Sequence, residues 1–489
     1  MTSTATLDGN MRMMEKKAMI GHKVRRFRLD HGLNQTEMAA QLSISPSYLN
    51  LIEHNQRPVT VPLLFRLSQA FEVDLREFAE DDDARLASDL TEVFADALFQ
   101  DQPVSQRDLR DLIDASPTAA KGILNLYKAY SSLREDAETL NHQFTERGKG
   151  IPTHSAAAAI EEVREYQEAQ SNHFTALESA AELLRGDFDA DPDTLRVQLT
   201  AHLRQHHSIN TKVVPSEVMG DTLRHYRQHE RRVLLSEALP ASARIFQLAA
   251  QTALIENKDL LDRAVESANL QTSNAPGILR TSLANYFAGA VMMPYAAFRD
   301  AAVEFKHDLE LLQQRFGASF EQVCHRLTTL QRPGMRGIPF FFIRVDKAGN
   351  VSKRLSGGGF KFARFGGTCP RLIVHDAFAT QGRILSQVAT MPDNTSFFTI
   401  ARTVDPIGGW PNGEKTIFAI ALGCEIHEAK QIVYAEGIDI KHQKNGTPVG
   451  VSCRVCERLD CNQRAYPPLH HALRIDNNLR RTTPFLFAQ

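Results

Sequence analysis

The chain has 489 residues with a net charge of −2, 43% of them apolar and 23% charged, which is the make-up of a globular protein of about three domains. No run approaches the roughly 18 apolar residues of a membrane span, and the opening MTSTATLDGN has no apolar signal core, so the expected compartment is cytoplasmic. Six cysteines in that reducing setting argue for metal or redox chemistry over a disulfide framework.

Charge is uneven along the chain. Residues 12–71 hold nine Lys/Arg against four Asp/Glu, the local excess a polyanion would meet. Within residues 20–80 five short helices are expected. In the first, Ile20, Val24 and Phe27 recur at helical spacing and Gly32 stands where a left-handed cap would end it. The second opens with Asn34 three residues before Glu37, the spacing of a reciprocal capping box. After a very short turn, Ser45 is placed to cap the third helix and Pro46 to begin it, where a missing N–H costs nothing. Leu49 and Ile52 would then face inward beside Leu42, leaving Ser45, Ser47, Tyr48 and Asn50 near the outward N-terminal part.

Two helices joined by a tight turn, the second presenting small polar side chains, form a helix-turn-helix. Gln35, the Ala39-Ala40 pair, the Ser-x-Ser-Tyr-Leu start and IEHNQRP make the stretch closely resemble the lambda-repressor-like, Xre-type DNA-binding domain. That resemblance implies Gln35 at a phosphate or base edge and Ser45, Ser47, Tyr48 and Asn50 on the groove side, where Asn binds adenine bidentately. Arg25, Arg26 and Arg57 would neutralise phosphates. One such module reads few base pairs, so a homodimer on operator DNA with paired half-sites is expected.

The acidic AEDDDARLASDL closes a first domain, taken as residues 12–80. Residues 81–150 read as a helical linker or dimerisation region, with apolar residues at i, i+3, i+4 and i+7 in AAKGILNLYKAYSSLREDAETL. Residues 151–335 are again mostly helical, apart from a short strand in HSINTKVVP, and ANYFAGAVMMP and RFGASFEQVCHRL resemble the IrrE-type, metallopeptidase-like domain. The zinc helix of such peptidases reads His-Glu-x-x-His. Here its place is taken by FQLAAQTALIE, residues 246–256, with no histidine and Glu256 as its only acid. A working protease is therefore not expected. His202, His206, His207 and His225 offer the ligands of a zinc site, but they lack a matched carboxylate in sequence and read as solvated. Phe287, Met292 and Met293 would line an apolar pocket retained from the peptidase fold.

Residues 336–489 change to strands. PFFFIRVD, the turn KAGN and a second strand make a hairpin pattern, followed by SFFTIARTV, EKTIFAIALGCEI and IVYAEGIDI. The fold class is thus multidomain and mainly α: a helix-turn-helix head, a helical peptidase-like middle and an α+β, β-rich sensor-like C-terminal domain. Into that last domain falls GVSCRVCERLDCNQRAYPP, with Cys453, Cys456 and Cys461 inside nine residues. A Cys-x-x-Cys pair turns two thiolates toward one metal or cluster corner. A fourth ligand would be Cys369 in GGTCPR or, less favoured, Cys424 in a strand. The spacing suits an iron–sulfur cluster better than a zinc ribbon, and Zn stays the alternative.

Taken together, CRVCERLDC followed by QRAYPP, with GGTCPR and HDAFATQGRI, resembles the short-chain fatty acyl transcriptional regulators, the ScfR family, over nearly the full length. The resemblance implies a DNA-binding regulator of acetate or propionate metabolism that senses an acyl-CoA and is not an enzyme. It implies Cys453, Cys456, Cys461 and Cys369 as ligands of an iron–sulfur cluster, taken as [4Fe-4S]. Arg164 and Arg280 would lie at the phosphates of acyl-CoA and Tyr286 near its acyl end. A redox- or iron-sensing repressor, with the cluster as the signal, is the alternative reading.

Overall fold

The computed structural model describes residues 21–54, 56–71, 82–99, 104–146, 156–188, 191–357, 359–360, 362, 368–405, 416–438, 446–468, 471–476 and 478–487. It divides into two compact units, Met1–Leu90 with Val104–Ile123, and Thr91–Pro103 with Leu124–Gln489.

The first unit begins with α1 (Gly21–Asp30), α2 (Gln35–Gln41), α3 (Pro46–Glu53) and α4 (Val61–Phe71). The fifth helix expected of the head falls on residues 72–80, outside the described residues. Helix α1 ends as its sequence predicts. Gly32 takes φ 65°, and the N–H groups of Gly32 and Leu33 return to the carbonyls of Leu29 and Arg28, a Schellman closure. The Asn34–Glu37 capping box forms in both directions, at 2.8 and 2.9 Å. Ser45 caps α3 by accepting from the Tyr48 N–H at 3.1 Å. Val24, Met38, Ala39, Leu42, Leu49, Ile52, Val59, Leu63 and Leu67 then form one small core. Beyond it lie α5 (Asp82–Phe94), α6 (Gln106–Ala115), capped reciprocally by Ser105 and Asp108, and α7 (Pro117–Glu146).

The second unit continues with α8 (Ala156–Ala169), α9 (Thr175–Gly186) and α10 (Pro192–His207). Ser171 and Asn172, both at positive φ, turn the chain between α8 and α9. Strands β1 (Asn210–Val214), β2 (Arg224–Arg227) and β3 (Arg232–Ser236), with the short α11 (Ser216–Met219) between the first two, make a small sheet in the order β1-β3-β2. Then follow α12 (Ala241–Glu256), α13 (Lys258–Ser267), α14 (Ala275–Met292), α15 (Tyr295–Glu304), α16 (Leu309–Phe316) and α17 (Phe320–Thr328). Alanines at 249, 250, 253, 284, 288 and 290 are buried on α12 and α14, and small side chains of this kind let helices approach closely. Phe287, Met292 and Met293 are no more than 2% exposed. They fill this core, so the pocket lining expected of them is not what they form.

The six-stranded sheet runs β5-β4-β8-β7-β6-β9, from β4 (Phe341–Val345), β5 (Val351–Leu355), β6 (Leu385–Thr390), β7 (Ser396–Val404), β8 (Phe418–Glu425) and β9 (Thr447–Pro448). A short α18 (Ile373–Asp376) precedes β6. All pairings are antiparallel except β6 with β9. Alternation of side chains across the pleat splits the sheet into two buried faces. Phe342, Phe398, Ile400, Ile420, Leu422 and Cys424 join the helical core. Phe341, Ile343, Phe397, Ala401, Ala419 and Ala421 face Phe360, Cys369, Leu372, Val374 and Val449 on the other side. The strand expected in IVYAEGIDI is corrected by the structure, which makes Val433–Ala435 a 3-10 turn. Ala429, Ile432 and Ala435 are the buried residues there, a period of three that suits a tight helix and not a strand. The Val433 N–H donates to the Lys306 carbonyl, so its backbone is satisfied by the helical part of the unit.

Candidate functional site

In the head, the third helix is held by a buried carboxylate. Arg28 of α1 grips Glu53 of α3 through Nε at 2.6 Å and its second nitrogen at 3.0 Å, with the Glu53 side chain fully buried. Gln35 donates from one nitrogen to Glu53 at 2.8 Å and to Asn50 Oδ1 at 3.2 Å. Burial alone would push Glu53 up, but the hydrogen bonds from Arg28 and Gln35 outweigh it and hold the carboxyl below its ordinary range. Gln35 and Asn50 are thereby joined, with Asn50 exposed and its amide nitrogen left to donate. Ser45 and Ser47 are exposed, as are Arg25 and Arg57, while Tyr48 is half-buried and packs on the small core. The side chain of Arg26 lies outside the described residues. The third helix thus carries Ser47 and Asn50 outward and is tied to α1 by a buried ion pair, the placement expected of a helix-turn-helix recognition helix.

In the C-terminal domain, the sheet separates the two candidate fourth cysteines. Cys424 lies on β8 with its side chain in the helical core, and burial pushes its thiol up. Cys369 sits on the opposite face with Val449, the residue that leads into the cysteine loop. Burial pushes the Cys369 thiol up, the backbone N–H groups of Arg371 and Gly450 pull it back, and nearby Cys453 and Cys456 add to the rise. Gly450 has no room for a side chain, because a Cβ there would lie 2.7 Å from Cys456 Sγ. The Ala465 N–H donates to Cys453 Sγ at 3.4 Å. Cys456 is buried, while Cys453 and Cys461 are partly exposed.

One guanidinium organises this loop. Arg464, 4% exposed, donates to the carbonyls of Cys453 at 2.6 Å, Cys456 at 2.8 Å and Arg458 at 2.6 Å. Arg458 in turn donates to the carbonyls of Val449 and Thr390, tying the loop to the end of β6. Cys369 thus lies near Cys453 and Cys456, and backbone N–H groups reach the sulfurs of Cys369 and Cys453; among the described residues no three cysteine sulfurs lie within 4.8 Å of one another.

The middle of the chain carries a buried polar cluster. Glu178 of α9 pairs with Arg326 of α17 at 2.5 and 2.9 Å, both side chains 2% exposed or less. Tyr286 donates to Glu178 at 2.6 Å and accepts from the Phe174 N–H at 3.2 Å. Burial pushes the Tyr286 phenol well up, and Arg326 outweighs burial to hold Glu178 low. Tyr286 is therefore committed to the core. Arg280 is paired with Asp262, and Arg164 shares Glu161 with Arg354. Arg164 and Arg280 each have an acidic partner, and Tyr286 faces the buried Glu178–Arg326 pair. The interior of α12 presents Ala249, Ala250, Gln251, Thr252 and Ala253, none of them a peptidase zinc ligand. Arg28, Glu53, Glu178, Arg326 and Arg464 escaped sequence reading; each is a charged residue whose burial shows only once its distant partner is known.

Comparison with known proteins places these parts. Residues 24–78 match the helix-turn-helix family, residues 204–328 the IrrE N-terminal-like domain, and residues 329–485 the family described as "Short-chain fatty acyl coenzyme A regulator, C-terminal". The HTH-type transcriptional regulator RamB of Mycobacterium tuberculosis is 38% identical over 97% of this chain and 99% of its own. PrpR of the same organism is 37% identical over 95% of each, and the propionyl-CoA carboxylase regulator of Cereibacter sphaeroides is 39% identical over 96% and 99%. A solved M. tuberculosis transcriptional regulator superposes with TM-score 0.64 at 39% identity, covering 67% of this chain and 99% of that one. With a helix-turn-helix head, no peptidase ligands on α12 and relatives matched end to end, the chain belongs to the short-chain fatty acyl coenzyme A regulators, a family of transcriptional regulators and not of enzymes.

Proposed function

We propose that this protein binds operator DNA as a homodimer and that a short-chain acyl-CoA sets its affinity for that DNA. The observation that carries the reading is end-to-end kinship with a propionyl-CoA carboxylase regulator, together with a C-terminal domain of the acyl-CoA regulator type. A ligand shifts DNA affinity only by binding the DNA-competent and DNA-incompetent arrangements differently. Arg164, held beside Arg354 on a shared Glu161, offers the paired cations a phosphate would use. Arg280 offers a half-exposed guanidinium, and Tyr286 acts by holding the Glu178–Arg326 cluster in place.

In the same reading Cys369, Cys453, Cys456 and Cys461 hold an iron–sulfur cluster, with zinc as the rival occupant. Support comes from Cys369 sharing a buried cluster with Val449, which leads into the cysteine loop, and feeling the charge of Cys453 and Cys456. When bound, the group would supply an oxidant-sensitive cross-link between the loop and the sheet. This chain's own part is to position the thiols through Arg464, exclude a side chain at Gly450 and donate N–H groups to sulfur. The test is a DNA-binding titration with acetyl-CoA, propionyl-CoA and free CoA, run beside an anaerobic assay of iron, sulfide and zinc. Unchanged DNA affinity removes the effector; zinc without sulfide removes the cluster.

A further inference from the structure

Outside the head and the cysteine loop, the second unit brings one more set of ligating side chains together. His202 and His207 lie in the last two turns of α10, and Glu256 is the final residue of α12. Both imidazole Nε2 atoms stand 2.6 Å from the same oxygen, Glu256 Oε1. Among the described residues this is the group of three His, Cys, Asp or Glu ligand atoms that all lie within 4.8 Å of one another. The three side chains are 13%, 28% and 21% exposed, so the cluster is reached from solution. Phe188 meets the edge of the His202 ring at 5.7 Å between centroids and limits how it can turn.

The electrostatic setting is independent of the donor set. His207 ends α10 and Glu256 ends α12, so two helix C-termini converge on the same point. Unpaired carbonyls at each terminus carry about half a negative charge. Two such ends beside a carboxylate make a place for a cation. Chain geometry fixes the histidines, because α10 stops at His207 and Ser208 takes a left-handed φ of 57° before β1 begins.

We propose that His202, His207 and Glu256 bind a divalent first-row metal ion, with Zn²⁺ the best fit, leaving a fourth position for water. Two imidazoles and one carboxylate are a donor set zinc accepts, at roughly 2.0–2.2 Å per bond. Nitrogen and oxygen ligands with no thiolate also suit Co²⁺ and Ni²⁺. Its ligand on α12 is the helix's last residue, Glu256, and none of the buried interior residues of α12 is a ligand. The ion would staple the ends of α10 and α12. His206 lies beside His202, with ring centroids 4.5 Å apart and tilted by 34°, but it is exposed and its nitrogens do not join the group, so it is not a ligand.

Co²⁺ titrated into the full chain tests this, since its visible spectrum separates nitrogen and oxygen ligands from thiolates. Saturable binding of one ion with weak d–d bands and no thiolate charge-transfer band is expected. His202→Ala and Glu256→Gln should each lower affinity by more than the roughly 10–100-fold that losing a ligand's outer partner costs. His206→Ala should leave it within about threefold, and metal-free circular dichroism of all three variants should match the parent. Bands that carry sulfur charge transfer and ignore His202→Ala would mean the ion goes to the cysteine loop, and would overturn the proposal. So would the absence of saturable binding, or a His206→Ala loss as large as that of His202→Ala.

Discussion

Replacing Arg464 by methionine should open the cysteine loop without unfolding the protein. The guanidinium donates to three loop carbonyls at 2.6–2.8 Å, in a stretch, residues 450–466, that has no helix or strand to satisfy them otherwise. Leaving a buried acceptor without its donor costs about 1–3 kcal/mol. Taking the low figure for each of the three gives about 3 kcal/mol lost locally. Because each 1.4 kcal/mol is tenfold, the opening equilibrium should rise about 100-fold. Amide exchange across residues 449–466, followed anaerobically by mass spectrometry, should accelerate by that factor, while exchange in β7 and β8 stays as it was. Alkylation of Cys456, now sheltered, should accelerate in parallel. Arg464→Lys keeps the charge but lacks the planar fork, so it should fall between the two. Protection within threefold of the parent in Arg464→Met would refute the assignment of Arg464 as the loop's brace.

Other consequences are as direct. Arg326→Met leaves Glu178 charged in the core and should cost about 3–5 kcal/mol in urea unfolding of the second unit, whereas Arg326→Met with Glu178→Leu should regain most of it; a double variant as damaged as the sum of the singles would contradict the coupling. Glu53 has its folded value lowered from 4.5, so its contribution is complete above the ordinary carboxylate range and is lost as pH falls through the lowered value. Acid titration of head helicity should therefore show a loss below about pH 4.5 that Glu53→Gln removes. Asn50→Ala should relax base preference at one position by about 1–3 kcal/mol, while Arg57→Ala should weaken all sequences alike and reduce the salt slope by about 1.

What could be read from sequence was local. The Asn34–Glu37 box, the Ser45 cap, Pro46 at the start of α3 and the Gly32 closure each depend on residues within six positions of one another. The β4–β5 hairpin was visible in the same way, through its turn KAGN, and its register joins Phe342 to Leu355. The placement of Cys369 and Cys424 on opposite sides of the sheet needed more. Strand parity says that Cys424 and Ala421 face opposite ways, but only the packed sheet says which way the helices lie. The buried Glu178–Arg326 pair spans 148 positions, and neither residue differs in sequence from a solvated charge. Histidines 202 and 207 looked unpartnered for the same reason, since Glu256 lies 54 and 49 positions away. IVYAEGIDI misled because its alternating β-branched residues fit a strand, while the contacts to Lys306 and Asp308 that pin Val433 and Tyr434 are long-range.

In the proposed function, an acyl-CoA changes how tightly this chain holds its DNA. Fluorescence anisotropy of a fragment enriched from genomic DNA by the protein itself, at fixed salt and with propionyl-CoA titrated against free CoA, tests it most directly. A shift in Kd of about 5–150-fold is expected with propionyl-CoA and a much smaller one with CoA alone. Identical Kd values with and without the thioester, on a fragment the protein binds specifically, would contradict it.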